Sequence, residues 1–284
     1  MATLPDDFRF SQGSLQDFVD CHRRFQLRYL LEVAWPAVEV EPALDFERHV
    51  RQGAAFHRLV HQHMLGLPVE RLSRMVDDAA DPDLSRWWRN YLEHPMDDLP
   101  PRRYPEVTLS APVRGHRLVA KYDLVAVEPG GRAVIVDWKT AQRRTDRRTL
   151  LSRLQTTVYR YVLVQAGAHL NGGEAIAPEQ VEMRYWFADF PHDPERLPYN
   201  AGRLEADAAY LQALVEDIKG RKGDADFPLT EDERRCRFCQ YRSLCERGVT
   251  AGTMDEAGDA VDLEAADLDL DIDLDFDQIA EIEF

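Results

Sequence analysis

Lysine is scarce in this chain of 284 residues: of 35 basic residues only Lys121, Lys139, Lys219 and Lys222 are lysine. Cysteine is sparse as well, with four residues, too few for the dense disulfide scaffold of a small secreted domain. No apolar run approaches the roughly 18 residues that a membrane-spanning helix needs. The opening segment MATLPDDFRF has neither the basic nor the apolar region of a secretory signal. A soluble, cytoplasmic protein that does not engage a membrane is expected. There is no GxxxxGK[ST] phosphate loop and no Gly-Lys pair anywhere, so a nucleotide-driven motor of that type is excluded. No internal repeat is evident.

What is present suffices for a large core, since 44% of the residues are hydrophobic. The net charge of -16 is unevenly placed. Residues 251–284 hold 13 acidic and no basic residues, while the preceding 250 hold 38 acidic against 35 basic, a net charge of -3. The body is therefore nearly neutral, and the charge does not exclude an anionic partner. The element order reads as helix 14–33 with Ser14 as its cap and Asp17 three residues on, a second helix from about Phe46 through RQGAAFHRLVHQHML, and a third over 81–94 whose core contacts are Trp87, Trp88, Tyr91 and Leu92. Strands follow at about 105–111, 117–127 and 132–138, then the helix TLLSRLQTTVYRYVLVQAG, the strand VEMRYWFAD and the helix RLEADAAYLQALVEDIK. This order predicts an α/β domain with a mixed central sheet flanked by helices. The expected division is a helical region over 1–100, an α/β core 101–220, a cysteine segment 221–250 and a separate acidic tail 251–284.

The chemistry concentrates at Asp137, Trp138 and Lys139, which close the apolar run Ala133, Val134, Ile135, Val136. EPGG at 128–131 reads as the turn of a hairpin, so Asp123 and Asp137 fall on paired neighbouring strands. Two carboxylates converging there suit a hard cation such as Mg2+ or Mn2+. Lys139 lies two residues past Asp137 and so shares its face of the strand. Its ammonium is placed to hold a water or offset developing phosphate charge. In a chain so rich in arginine, a lysine at this point supplies a compact, titratable charge that guanidinium would not. A lone Asp-x-Lys also fits a surface ion pair. Gln155 and Tyr159, four residues apart, share one face of the next helix, and His57 lies in GAAFH on an earlier one. His57 with His61 also fits a zinc pair, although no Glu follows His57 and no third ligand stands out. Arg143, Arg144, Arg147 and Arg148 follow the DWKT strand and read either as phosphate contacts or as a solvated loop.

The ordered set of His57, Asp123, the Asp137-Trp138-Lys139 strand and the Gln155/Tyr159 helix resembles the RecB-like branch of the PD-(D/E)xK nucleases. Tyr122 stands where the family name has Pro, and Ala141 where a Gly often follows the KT. The resemblance implies a restriction-endonuclease-like fold and a metal held by His57, Asp123, Asp137 and the carbonyl of Trp138. It implies that Lys139 serves the attacking water, and that Gln155 and Tyr159 position DNA or steady the site. The substrate would be DNA, single-stranded or at duplex ends, cut as by an exonuclease in repair, recombination or CRISPR adaptation. Without such a motor of its own, the chain is expected to act on ends or single strands, or to work beside a separate helicase or integrase. The alternative is a non-catalytic DNA-binding or assembly subunit that kept the fold.

Cys21 in the first helix and Cys236, Cys239 and Cys245 in CRFCQYRSLC point to a metal centre, and thiolates suit either zinc or an iron-sulfur cluster. One N-terminal cysteine with a distant trio is similar to the arrangement in AddB-type subunits and in the CRISPR-associated spacer-acquisition exonucleases. That likeness implies a 4Fe-4S cluster tying the first helix to the end of the domain, across 214 intervening residues. In the tail, DLDLDIDLDFD alternates acid with apolar residue. Extended, it sets carboxylates about 6.6 Å apart on one face. A DNA mimic folding back over the site, a strand or Phe284 docking on a partner, and a solubilising disordered tail all fit that pattern.

Overall fold

The computed structural model describes residues 3–33, 41–141, 143–237 and 239–248, with backbone alone over 41–47. The acidic tail, with its proposed roles and Phe284, lies outside the described residues. The architecture is mixed α/β, built on a five-stranded sheet and a three-stranded one. Among the described residues no helix is long and apolar enough to cross a membrane.

The central strand is β6 (Ala133–Lys139), whose seven residues are all buried. A run of apolar and β-branched residues of this length is what a strand covered on both faces requires. It pairs antiparallel with β5 (Leu124–Val127) and parallel with β7 (Val181–Phe187). The full order is β2 (Arg102–Pro105), β5, β6, β7 and β8 (Phe190–Pro198). Side chains alternate across this sheet. Val134, Val136 and Trp138 pack with Phe56 and Trp87 on one side, while Ala133 and Ile135 pack with Val158 and Val162 on the other. The first side is covered by α3 (Glu41–Met64), α4 (Val69–Ala79) and α5 (Pro82–Glu93). The second is covered by α7 (Leu154–Ala166), which follows the short α6 (Arg147–Ser152), and by α8 (Ala201–Gly220). Truncating a wholly buried tryptophan such as Trp87 or Trp138 costs about 3–5 kcal/mol, so the first of these layers is firmly attached.

The expected strand over 117–127 is two strands, and so is the one at 105–111. Chain 102–127 forms one hairpin that serves both sheets. Its outer half pairs β3 (Thr108–Val113) with β4 (His116–Lys121), and its inner half pairs β2 with β5. Pro105 opposite Leu124 and Thr108 opposite Lys121 belong to a single register, held through the bend by Glu106 N–H to the Asp123 carbonyl at 3.0 Å and Tyr122 N–H to the Val107 carbonyl at 2.9 Å. Glu106 makes the bend with φ 53. For a residue with a side chain this costs about 1 kcal/mol or more, and its carboxylate meets Lys121 at 2.6 Å. The small sheet is completed by β1 (Arg9–Ser11), parallel to β4.

The first helix also departs from expectation. Ser11, not Ser14, is the N-cap of α1 (Gln12–Asp20), and Ser14 completes a reciprocal capping pair with it. Asp17 instead takes Arg24 at 2.7 Å. The helix breaks at Cys21, which is extended at φ -163 and ψ 112, before α2 (His22–Phe25) and a π turn over Gln26–Leu30. Helix α4 and edge strand β8 were not foreseen.

Candidate active site

The geometry follows from the register. Leu124 is the last β5 residue to face a partner, opposite Val136, so Asp123 stands one step beyond it, opposite Asp137. Because the hairpin bends there, the Asp123 side chain turns in toward β6, and its Oδ2 accepts the Trp138 N–H at 3.0 Å. On a strand the N–H and C=O of one residue point to the same edge. The Trp138 carbonyl is therefore presented on the Asp123 side, while the Lys139 carbonyl points the other way and accepts Ala188 N–H at 2.8 Å.

Asp137 and Lys139 lie on the face covered by α7, and both are almost wholly buried. Lys139 Nζ is 2.9 Å from Asp137 Oδ2. Gln155 Nε2 donates to Asp137 Oδ1 at 2.7 Å, and Gln155 Oε1 accepts from Lys139 Nζ at 3.0 Å. One carboxylate, one ammonium and one amide thus form a closed ring. His57 approaches from α3 with Nδ1 3.2 Å from Asp123 Oδ1. These two side chains are the reachable side of the site, at 24% and 22% exposed against 4% for Asp137. Burial acts to raise the Asp123 carboxyl, but His57, the Trp138 N–H and Lys139 outweigh it and hold it below the usual carboxylate range. Asp123 is therefore anionic at neutral pH.

Tyr159 is buried beneath the ring. Its backbone carbonyl accepts the Tyr122 hydroxyl at 2.9 Å, and the two aromatic rings lie 4.8 Å apart. Burial and then the charges of Asp137 and Asp123 keep its phenol protonated. Tyr185 joins the site without having been foreseen. It faces Asp137 across the parallel β6–β7 pair, with Lys139 Nζ 5.6 Å from its ring centroid. Thr156 gives its hydroxyl proton to the Leu150 carbonyl at 2.6 Å, so the 2.6 Å contact between Tyr185 and Thr156 has Tyr185 as donor. Gly53, one turn before His57, lets α3 come close to the end of β6: a Cβ there would lie 3.0 Å from Thr140 Oγ1.

The arginines after β6 divide. Arg144 binds Asp193 at 2.9 Å and Glu195 at 3.0 Å, and Arg147 also binds Glu195. Arg143 and Arg148 are exposed. Among the described residues no third His, Cys, Asp or Glu joins His57 and His61 into a zinc site.

Among the described residues His57, Asp123 and Asp137 do not stand as a ready three-ligand group, but two carboxylates, an imidazole and the Trp138 carbonyl are the donor types that a hard divalent cation takes. Each carboxylate oxygen carries two acceptor positions, so one hydrogen bond to each leaves coordinating capacity.

The four cysteines are half-buried and share one electrostatic neighbourhood. Burial and then the charge of Cys21 push the Cys236 and Cys245 thiols up. Burial carries Cys239 up to about 11 against the opposing Arg24. The break at Cys21 brings it to this group, and Arg235 fastens the C-terminal turns to Asp20 at 2.7 Å. Among the described residues no set of three or more such side chains is arranged to hold a single metal ion. Four thiols with no other donor type fit a thiolate-bound centre.

Residues 9–246 match the family model described as the PD-(D/E)XK nuclease superfamily, a span that takes in the candidate site residues and the four cysteines. No curated protein matches the chain. Among solved structures, the chain is similar to the protein called SSO0001, with 14% identity, a TM-score of 0.38, and coverage of 85% of this chain and 87% of that one. It is also similar to a Eubacterium rectale protein named as a candidate exonuclease, with 11% identity, a TM-score of 0.47, and coverage of 88% and 93%.

Proposed function

Because this chain belongs to the PD-(D/E)XK nuclease superfamily, we propose that it is a metal-dependent DNA phosphodiesterase acting on single strands or duplex ends. The observation that carries this reading is the closed ring of Asp137, Lys139 and Gln155 beside Asp123. His57, Asp123, Asp137 and the Trp138 carbonyl would hold Mg2+ or Mn2+, which when bound would polarise the phosphate and lower the pKa of a coordinated water. Lys139 is fixed at its Nζ by two partners, so it meets a water or phosphate oxygen without first giving up rotational freedom. Gln155 acts through those two groups and is a positioning residue. Tyr159 and Tyr185 keep the floor of the site dry and their phenols neutral.

The cysteines are assigned a structural 4Fe-4S cluster that clasps the start of the domain to its end. Repair, recombination and CRISPR adaptation, alone or beside a helicase or integrase, are the settings in which such an activity would serve.

The test is cleavage of single-stranded and duplex DNA with Mn2+. Asp137→Ala and Lys139→Ala should each lower the rate by about 100-fold or more. Activity that survives both changes belongs to another site, and a folded protein inactive on all DNA substrates favours the assembly-subunit reading. A colourless anaerobic preparation with stoichiometric zinc would overturn the cluster.

A further inference from the structure

A pair of imidazoles lies apart from both centres. His94 is the C-cap of α5, and His192 belongs to β8. Their Nε2 atoms are 3.1 Å apart, with the rings at 87° and centroids 4.1 Å apart.

The tautomer of His94 is fixed by its neighbour. Nδ1 is 2.8 Å from the Asn90 carbonyl, and a carbonyl only accepts, so the proton is on Nδ1. In the neutral ring the lone pair is then on Nε2, aimed at His192. An Nδ1–H given to a backbone carbonyl is the arrangement that orients a metal-binding histidine.

The spacing agrees. Two imidazole nitrogens bound at about 2.0–2.1 Å to one ion stand roughly 2.9 Å apart at a right angle and roughly 3.3 Å apart at the tetrahedral angle. The observed 3.1 Å falls between. The backbones carrying the rings are already joined: Asn90 Nδ2 donates to the Ala188 carbonyl at 2.7 Å, and Trp87 Nε1 and Arg86 Nε donate to Asp189 at 3.0 and 2.7 Å. The backbones therefore need little reorganisation, while the rings, with centroids 4.1 Å apart, swing apart to the roughly 4.8 Å that two imidazoles aimed at one ion require.

We propose that His94 and His192 form a binding site for a borderline divalent transition ion such as Zn2+, Ni2+ or Cu2+, separate from the carboxylate site and the cysteines. Nitrogen donors select these ions over Mg2+ and Mn2+. Asp193, next to His192, is engaged by Arg144. Among the described residues no third His, Cys, Asp or Glu completes the site, so water fills the remaining positions and the ion exchanges readily. Binding replaces the Nε2–H···Nε2 hydrogen bond: His192 moves its proton to Nδ1, and both Nε2 lone pairs go to the ion. The effect is a cross-link between α5, in the layer that carries His57, and β8, whose Glu195 holds Arg144 and Arg147.

The experiment is Ni2+ titration of the protein with its cysteine centre loaded, read by calorimetry and thermal unfolding. His94→Gln, His192→Gln and the double variant are compared with the parent. The parent should bind one more Ni2+ per chain than either single variant, and the double variant should lose no further site. Ni2+ should raise the unfolding temperature of the parent alone. Crystals soaked in Ni2+ should show an anomalous peak between the two Nε2 atoms. Equal stoichiometry and affinity in all four proteins, or anomalous peaks only at the cysteines and carboxylates, would overturn the proposal. His192 is exposed, so His192→Gln tests the site even if His94→Gln disturbs the end of α5.

Discussion

At Gln155 one amide serves two opposite charges, donating to Asp137 and accepting from Lys139. Gln155→Ala keeps both charged groups but removes the bridge that sets their separation. Its expected effect is a fall in kcat of about 10-fold or more with KM for DNA little changed, since the missing contacts are not to substrate. Gln155→Glu should be worse, because a second carboxylate would compete with Asp137 for Lys139. A Gln155→Ala enzyme with unaltered kcat would remove the positioning role. Most of this site was legible in the sequence, for a definite reason. A short turn and strand alternation fix which residues of one hairpin oppose each other, and helix periodicity aligns Gln155 with Tyr159. Tyr185 was not legible, because its place opposite Asp137 depends on a parallel register set by the whole crossover between β6 and β7.

Elements meet at two places where a single residue decides the fit. Gly53 is one: alanine in a helix interior ordinarily gains about 1 kcal/mol over glycine, but here its Cβ would press on Thr140. Gly53→Ala should therefore gain none of that stability in urea unfolding. Gly53→Val should shift α3, and His57 with it, lowering activity about 10-fold or more. The full stability gain in Gly53→Ala would mean that the close approach is immaterial. Asp98 is the other, gripping the buried Arg184 of β7 at 2.7 and 3.0 Å. Hydrogen bonds from Arg184 hold its carboxyl down to about 2, against the opposing effect of burial, compared with about 3.9 when unfolded. The native value is the lower one, so this stabilisation is present above about pH 4 and is lost as pH falls toward 2. With the carboxylate 43% exposed, solvent screening leaves about 1 kcal/mol. The stability difference between the parent and Asp98→Asn should shrink by about two thirds of that amount between pH 6 and pH 2.5. The break at Cys21 and the strand β8 escaped sequence reading for local reasons. Apolar spacing continues unbroken through residues 14–33, and Pro191, Pro194 and Pro198 give β8 the composition of a loop although an edge strand tolerates them.

Over the whole molecule the proposed cysteine centre would join segments far apart in sequence, and a cross-link of that span acts mainly by restricting the unfolded chain. Cys21→Ser should lose iron and about 2–4 kcal/mol of stability, read by metal analysis and urea unfolding. Retained iron with unchanged stability would sink the clasp. The sequence showed the mixed sheet and its helical layers because each carries its own periodicity. It did not show that two sheets share one hairpin, since both halves read as uninterrupted strands. That sharing makes residues 102–127 a crank with Asp123 at its elbow. The Asp123 carboxylate is thus carried on backbone that is hydrogen-bonded into the small sheet on one side of the bend and into the large sheet on the other.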